Sequence, residues 1–308
     1  MNVDLIVVLG PTASGKTGFA SRLAYNVKGE IISADSRQVY KDMNLGTGKD
    51  YEDYIIEGKK IDAHLIDIHE PGYKYNVYEF QQDFLKVYNE IHSKNKIPVL
   101  CGGTGMYIEA VLKGYKLFPV PPDNKLRSEL NNYSHEELKQ MLYSFNVELH
   151  NTTDLTSKKR TIRAIEIAKH YNANQNTDFS YPDIKPVIFG VKFERPVQRQ
   201  RITERLKQRL KEGMVEEVEV LLDKGIEPGD LMYYGLEYKY ITLYLKGELT
   251  YDEMFNQLNT AIHQFAKRQM TWFRRMERNG VKINWIEGNL PMEKKVEVAL
   301  QVIEEFDA

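Results

Sequence analysis

Val3-Asp4-Leu5-Ile6-Val7-Val8-Leu9, running directly into Gly10-Pro11-Thr12-Ala13-Ser14-Gly15-Lys16-Thr17, is the stretch that decides the fold. An apolar run of strand length ends on a glycine, and the spacing of glycine, four residues and Gly-Lys-Thr is the full Walker A pattern. Each part has a physical task. The glycines let backbone N–H groups turn inward onto phosphate oxygens, and the helix expected over 15–27 offers them its positive end. Lys16 neutralises phosphate charge, while the Thr17 hydroxyl is suited to ligate Mg²⁺. A chance match in an unrelated loop is the alternative, and the flanking strand and helix argue against it. The loop predicts a bound di- or triphosphate group. It does not say which phosphate compound, or what reaction follows.

Working outward, Glu30–Ser33 and Ala63–Ile68 read as short strands and Tyr78–His92 as a helix. Lys96–Cys101 reads as another strand, ending at Gly102-Gly103. Strands alternating with helices predict an α/β fold whose parallel, doubly wound sheet binds ligands at the strands' carboxyl ends. The texture changes after Pro119-Val120-Pro121-Pro122. From there to about Tyr181 the periodic segments, Ser134–Phe145 and Ser157–Tyr171, are helical, with a polar loop at Asn172–Asp178. Strand character returns at Pro186–Phe193. The organisation expected is a core of residues 1–120 and 182–308 interrupted by an all-helical insertion, 121–181. Helix Pro196–Lys211 is expected to bury Val197, Ile202, Leu206 and Leu210, with Arg201, Arg205 and Arg209 in a row beside them. Tyr251–Arg278 reads as one long helix stopped by Asn279-Gly280, followed by a strand at Val281–Ile286 and a terminal helix.

The chain has 308 residues, of which 42% are hydrophobic and 28% charged, as in an ordinary globular protein. No run approaches the eighteen or so apolar residues of a membrane span, and the mean hydropathy is −0.50. The opening MNVDLIVVLGP lacks a basic leader and reads as a buried strand rather than a signal peptide. A single cysteine, Cys101, cannot form an internal disulfide and fits a reducing compartment, so the cytoplasm is expected. No Cys/His spacing suggests zinc. A net charge of −2 hides clustering: seven basic residues between Arg195 and Lys211 face one acid, Glu204. Lys158, Lys159, Arg160 and Arg163 form a second cluster, and Lys267, Arg268, Arg274, Arg275 and Arg278 a third. Such runs are usually solvated helix faces, but three in a slightly acidic protein favour a polyanionic partner.

Two further features border the loop. Ser33-Ala34-Asp35-Ser36-Arg37-Gln38 follows the second strand, which aims the Asp35 carboxylate into the crevice. It suits binding Mg²⁺ or accepting a proton from a nucleophile; a helix N-cap is the plain alternative. Gly102-Gly103-Thr104-Gly105-Met106-Tyr107 stands where an ATPase strand normally ends in an acid. The glycines are expected to open space for a bulky acceptor.

Together these residues resemble the tRNA dimethylallyltransferase, or tRNA isopentenyltransferase, family. GPTASGKT, IISADSRQVYKDMNLGTGK, Asp67-Ile68-His69-Glu70-Pro71 and Ile97–Tyr107 look like family signatures in family order. So do RQRITERLKQRLKEGMVEEV, YLKGELTYDEM and AKRQMTWFRR, and the match spans nearly the whole chain. Where the bacterial family typically has an IGYKE- or VGYRQ-like segment, this chain reads Tyr233-Tyr234-Gly235-Leu236-Glu237-Tyr238, and basic family positions are replaced. No counterpart of the eukaryotic zinc-finger extension is expected.

The resemblance implies a P-loop NTPase-like core and transfer of a dimethylallyl group from dimethylallyl diphosphate. The acceptor it implies is N6 of the adenosine just 3′ of certain anticodons, the partner is tRNA through its anticodon stem-loop, and Mg²⁺ is the cofactor. An adenine amine is a poor nucleophile that becomes acidic as the C–N bond forms, and Asp35 fits the general base. The loop residues Gly10, Pro11, Thr12, Ala13, Ser14, Gly15, Lys16 and Thr17, with Arg205, would hold the departing diphosphate. By family match Thr104 lines the acceptor opening, Arg127 sits near the tRNA and Gln38 meets the target adenine, within the segment Asp35, Ser36, Arg37 and Gln38. Lys159, Arg160, Arg163, Lys267, Arg268 and Arg274 would contact RNA phosphates. Trp272 and Phe273 are expected in the core rather than stacked on bases, and His64, His69 and His263 are expected to be structural. A monomer without membrane contact is expected. The competing readings are a small-molecule kinase, a transferase acting on free AMP, and a nucleotide-gated RNA-binding module; a kinase would break P–O where a prenyltransferase breaks C–O.

Overall fold

A computed structural model describes residues 3–145, 155–173 and 180–307. The strands are β1 (Leu5–Leu9), β2 (Glu30–Ser33), β3 (Ile55–Ile56), β4 (Lys59–Lys60), β5 (Ala63–His64), β6 (Pro98–Gly102), β7 (Pro186–Lys192) and β8 (Asn284–Glu287). Among the described residues six of them form one parallel sheet in the order β5-β2-β6-β1-β7-β8, and β3 and β4 make a separate hairpin. The order is doubly wound, as the alternation of strands and helices predicts.

Both faces of the sheet are covered, which is why its strands read as unbroken apolar runs rather than alternating ones. Ile6 and Val8 pack with Phe19, Ala20 and Leu23 of α1 (Lys16–Val27). Leu5, Val7 and Leu9 face the opposite layer, toward α2 (Val77–Ser93) and α3 (Gly105–Leu112). A separate unit, 115–182, contains α4 (Asn124–Leu130), α5 (His135–Ser144) and α6 (Lys158–Ala173). It has its own core of Leu126, Leu130, Leu138, Leu142, Ile162 and Ile165. The remaining residues, 1–114 and 183–308, form the other compact unit. Its later helices are α7 (Arg195–Lys211), α8 (Met214–Asp223), α9 (Pro228–Leu231), α10 (Leu236–Leu245), α11 (Tyr251–Arg278) and α12 (Met292–Asp307).

Several boundaries differ from expectation for local reasons. The strand expected over Ala63–Ile68 stops at His64, because Leu65 and Asp67 adopt left-handed backbone with φ of 61° and 55°. The last strand begins at Asn284 rather than Val281. The polar loop expected at 172–178 starts inside α6, and its residues from 174 on lie outside the described residues. On α7 the buried positions are Gln198, Ile202, Leu206 and Arg209. Two polar residues therefore hold places expected of Val197 and Leu210. Their partners, described below, explain the rotation.

The sheet also buries an acid. Glu30 opens β2 at 1% exposure, where an unpaired carboxylate would cost several kcal/mol. His64 Nε2 lies 2.7 Å from its carboxylate, and Lys96 and Lys94 donate to it at 2.7 and 3.2 Å. Burial works to raise the Glu30 pKa, but these donors outweigh it and bring it from 4.5 to about 2. A carboxyl held below its unfolded value stabilises the fold above pH 4.5 and stops doing so as pH falls toward 2. Glu30→Gln should therefore show a shallower loss of melting temperature than wild type across that acid window, and a lower one at neutral pH. Parallel acid titrations of the two proteins would contradict this assignment.

Candidate active site

The phosphate loop takes its shape from two left-handed residues, Ala13 at φ 60° and Gly15 at φ 75°. They turn the chain so that α1 starts at Lys16 with its first N–H groups at the strand's carboxyl end. The Thr12 backbone is held at both ends: its N–H donates to Gln269 Oε1 at 2.8 Å, and its carbonyl accepts from Gln198 Nε2 at 2.5 Å. Arg201 Nε donates to the Ala13 carbonyl at 3.0 Å. The Ser14 hydroxyl is buried with no hydrogen-bond partner among the described residues, an orphan of the kind a phosphate oxygen satisfies. Burial lowers the Lys16 pKa, while the charges of Asp35 and Asp50 pull it back and Arg205 adds to the lowering.

The carboxyl ends of three strands lie level. Leu9 is in register with Gly102, and Ser33 with Cys101, so β6 lies between the strand that feeds the phosphate loop and the strand that feeds Asp35. Asp35 is half-buried and heads a turn in which Oδ1 accepts the Arg37 N–H at 2.9 Å. No helix follows, so Asp35 is not the helix cap of the plain alternative. The Thr104 hydroxyl accepts the Ser36 N–H at 3.1 Å and makes no cap bond to its own helix. Gln38 is buried, accepting from Ser33 Oγ and donating to the Gly48 carbonyl. Arg37 stands over the Tyr233 ring at 5.1 Å.

The opening expected at Gly102–Gly105 is filled instead. A methyl group on Gly102 would strike the Ala34 backbone, on Gly103 the Gln269 amide, and on Gly105 the Trp272 indole. These glycines are required by close approach, not by vacancy. In place of the acid at the strand end, the Cys101 thiol meets the Thr17 hydroxyl, and burial pushes the thiol up to about 12, so it stays neutral. Among the described residues no group of three or more His, Cys, Asp or Glu side chains is arranged to hold a metal ion. The donor set suits a cation that arrives with phosphate oxygens and takes one protein oxygen, from Thr17.

All three arginines expected in a row on α7 reach the same side. Arg205 and Arg209 grip the two oxygens of Asp50 at 2.5 and 2.8 Å, and Arg209 also donates to the Leu45 carbonyl at 2.9 Å. Burial works to raise the Asp50 pKa, but the two guanidinium charges hold it below the ordinary value. Thr12, Ala13, Arg205, Arg209 and Glu237 line one crevice with apolar Ile202 and Leu206. Burial pushes the Glu237 carboxyl up, against the pull of both arginines. The segment whose basic family positions are replaced thus places an acid beside the phosphate loop.

Of the other expected contacts, Lys159 and Arg160 stand exposed on α6. Arg127 and Arg163 are bound within that unit by buried Glu166, Arg127 at 2.8 Å. Lys267, Arg268 and Arg274 are exposed on α11, Arg268 over the Phe265 ring. Phe273 is fully buried, and Trp272 lies between Gly105 and the Arg275 guanidinium, 4.0 Å from its ring. His64 serves Glu30 and His69 stacks on Tyr73, both structural.

Sequence reasoning missed three residues. Gln269 and Gln198 hold the loop, and their signal is a glutamine inside an otherwise apolar helical stripe. The third, Glu217, accepts the N–H groups of Asn44, Leu45 and Gly46 at 2.7–3.0 Å, fixing the loop that carries Asp50. Nothing local marks it.

Comparison with known proteins matches two family models, IPP transferase over residues 38–276 and isopentenyl transferase over residues 1–66. The chain is 58% identical over 303 residues to a tRNA dimethylallyltransferase 2 of Bacteroides fragilis, covering 98% of this chain and 99% of that one. Its fold is similar to the crystal structure of the full-length tRNA isopentenylpyrophosphate transferase from Bacillus halodurans. There the TM-score is 0.71 at 31% identity, over 98% of this chain and 95% of the other. A eukaryotic dimethylallyltransferase acting on tRNA shares the fold at TM-score 0.77 and 18% identity, over 98% of this chain and 79% of that one.

A charge-assisted hydrogen bond is worth about 1.5–3 kcal/mol, or roughly ten- to a hundredfold in affinity. Lys16→Ala should weaken binding of magnesium pyrophosphate by that factor in titration calorimetry and leave the melting temperature within a few degrees. Unchanged affinity would remove Lys16 from the phosphate site.

Proposed function

This chain belongs to the IPP transferase family, and we propose that it transfers a dimethylallyl group from dimethylallyl diphosphate to N6 of the adenosine 3′-adjacent to the anticodon in certain tRNAs. The product is N6-dimethylallyladenosine in tRNA, and diphosphate is released. The observation that carries this reading is the placement of Asp35 and the phosphate loop on either side of a strand whose end is glycine. A kinase would need an acceptor hydroxyl at the terminal phosphate with the base beside it; here the proposed base leaves β2, on the far side of β6 from the phosphate loop.

In this reading N6 attacks C1 of the donor, the C1–O bond breaks, and its electron pair leaves with diphosphate. The Asp35 carboxylate takes the N6 proton. Its turn, closed on the Arg37 N–H and tied through Ser36 to Thr104, keeps it from swinging away. Negative charge gathers on the leaving oxygens, where the loop N–H groups, Lys16 and Arg205 stabilise it as it develops. Arg205 shares Asp50 with Arg209 before the donor arrives, which holds its guanidinium fork at the crevice. Thr17 is the residue that would hold magnesium, which would add positive charge to the diphosphate when bound.

The RNA contacts fall to the exposed cations. Lys159 and Arg160 in the helical unit, and Lys267, Arg268 and Arg274 on α11, have charge available to phosphates. Arg127 and Arg163 share theirs with Glu166, so their contribution is smaller. Arg160→Ala or Arg268→Ala should weaken tRNA binding and flatten its salt dependence by about 0.7 in slope for each phosphate left without its cation. An unchanged slope in both would move the RNA surface elsewhere.

The reading is tested by incubating the protein with undermodified tRNA and dimethylallyl diphosphate and analysing the nucleosides by mass spectrometry. Asp35→Asn should keep tRNA affinity and lose about 10²–10⁴ in kcat. Near-normal turnover of that variant would take Asp35 out of the mechanism, and absence of any prenylated nucleoside with wild type would sink the assignment.

A further inference from the structure

We propose that Gln269 is a positioning residue that ties the donor loop to the acceptor loop, so that binding of diphosphate tightens binding of tRNA. The inference rests on the transferase reading above and concerns how its two substrates communicate.

Gln269 lies on the buried stripe of α11, among Ile262, Ala266 and Phe273, at 8% exposure. Its side chain ends between two loops. Oε1 accepts the Thr12 N–H at 2.8 Å, and Nε2 donates to the Gly103 carbonyl at 2.9 Å. From Gly103 the chain continues to Thr104, whose hydroxyl accepts the Ser36 N–H next to Asp35. One hydrogen-bonded path therefore runs from the phosphate loop to the proposed base, and Gln269 is its bridge.

The chemistry of the bridge is specific. A primary amide offers an acceptor and a donor at one end of the side chain; glutamate has only acceptors there and lysine only donors. Asparagine is one methylene short. Gly103 belongs to the same device, since a methyl group there would collide with the Gln269 amide. The Thr12 carbonyl, in the next peptide group, is fixed by Gln198, which limits how far Thr12 can move with the Gln269 amide. The neighbouring residues on α11, Lys267 and Arg268, face outward, which puts the RNA side and the donor side on one helix.

Two sites joined by one element that both ligands bias show reciprocal coupling, typically about 5–150-fold in affinity. The test measures the Kd of undermodified tRNA with and without saturating magnesium pyrophosphate, and the Kd of pyrophosphate with and without tRNA. Wild type should show at least about a fivefold gain in both directions. Gln269→Glu keeps the acceptor for Thr12 but has no donor for Gly103. Its carboxylate adds negative charge beside the phosphate loop, so the variant should bind pyrophosphate alone more weakly than wild type, melt within a few degrees of it, and show a coupling factor near one. Gly103→Ala reaches the same link from the acceptor side with Gln269 intact and should also lose the coupling. Independent binding in wild type, or wild-type coupling in both variants, would overturn the inference and leave the transferase assignment standing. Failure of wild type to bind either tRNA or pyrophosphate would instead sink that assignment, and the coupling with it.

Discussion

The carboxyl ends of β1, β6 and β2 are fixed level by parallel register, Leu9 against Gly102 and Ser33 against Cys101. Adjacent strands sit about 4.8 Å apart, so the loops leaving β1 and β2 start roughly 10 Å from one another with β6 between them. One loop is built for phosphates and the other carries a carboxylate. Between the two loops a single carbon, C1 of the donor, would lose the phosphate oxygen on one side and take the attacking amine on the other. An acidic residue ending β6 would put negative charge between the two loops, and a larger side chain at Gly102 would strike the Ala34 backbone. The chain places Cys101 and Gly102 there, a neutral thiol and a glycine.

The rest of the site works to keep those loops where the register puts them. Hydrogen bonds with two glutamines on separate helices hold the backbone N–H and carbonyl of Thr12, and Thr104 secures the turn that Asp35 begins. Glu217 gathers three successive N–H groups of the segment leading to Asp50, which in turn orients Arg205 and Arg209. Most of these groups are uncharged or paired, so they add little field of their own. In the proposed reaction the positive charge that a diphosphate would meet comes from Lys16, Arg201 and Arg205 and from the N-terminal end of α1.

The sheet, the phosphate loop and Asp35 were legible in the sequence because each is written locally. An apolar run, a Walker spacing and an acid just past a strand need no knowledge of distant residues. Gln269 and Gln198 were not legible, since their partner Thr12 lies 257 and 186 residues away. Arg209 was read as one of a row beside the apolar stripe, and only the position of Asp50 shows why it is buried. The glycines at 102, 103 and 105 were misread as an opening for a related reason. A missing side chain looks the same in sequence whether it leaves space or admits a neighbour, and here Ala34, Gln269 and Trp272 occupy the space. The Tyr233–Glu237 segment showed as a departure from the family pattern, while its consequence, an acid in the crevice wall, needed the fold.

The account turns on which bond breaks in the crevice. Dimethylallyl diphosphate carrying ¹⁸O only at the bridging position between C1 and phosphorus reads this directly. Turnover with undermodified tRNA should place the label in the released diphosphate, in amounts equal to the N6-dimethylallyladenosine formed. Label recovered in dimethylallyl alcohol, with a diphosphorylated acceptor in place of a prenylated one, would mean that the P–O bond is cut and would contradict the account.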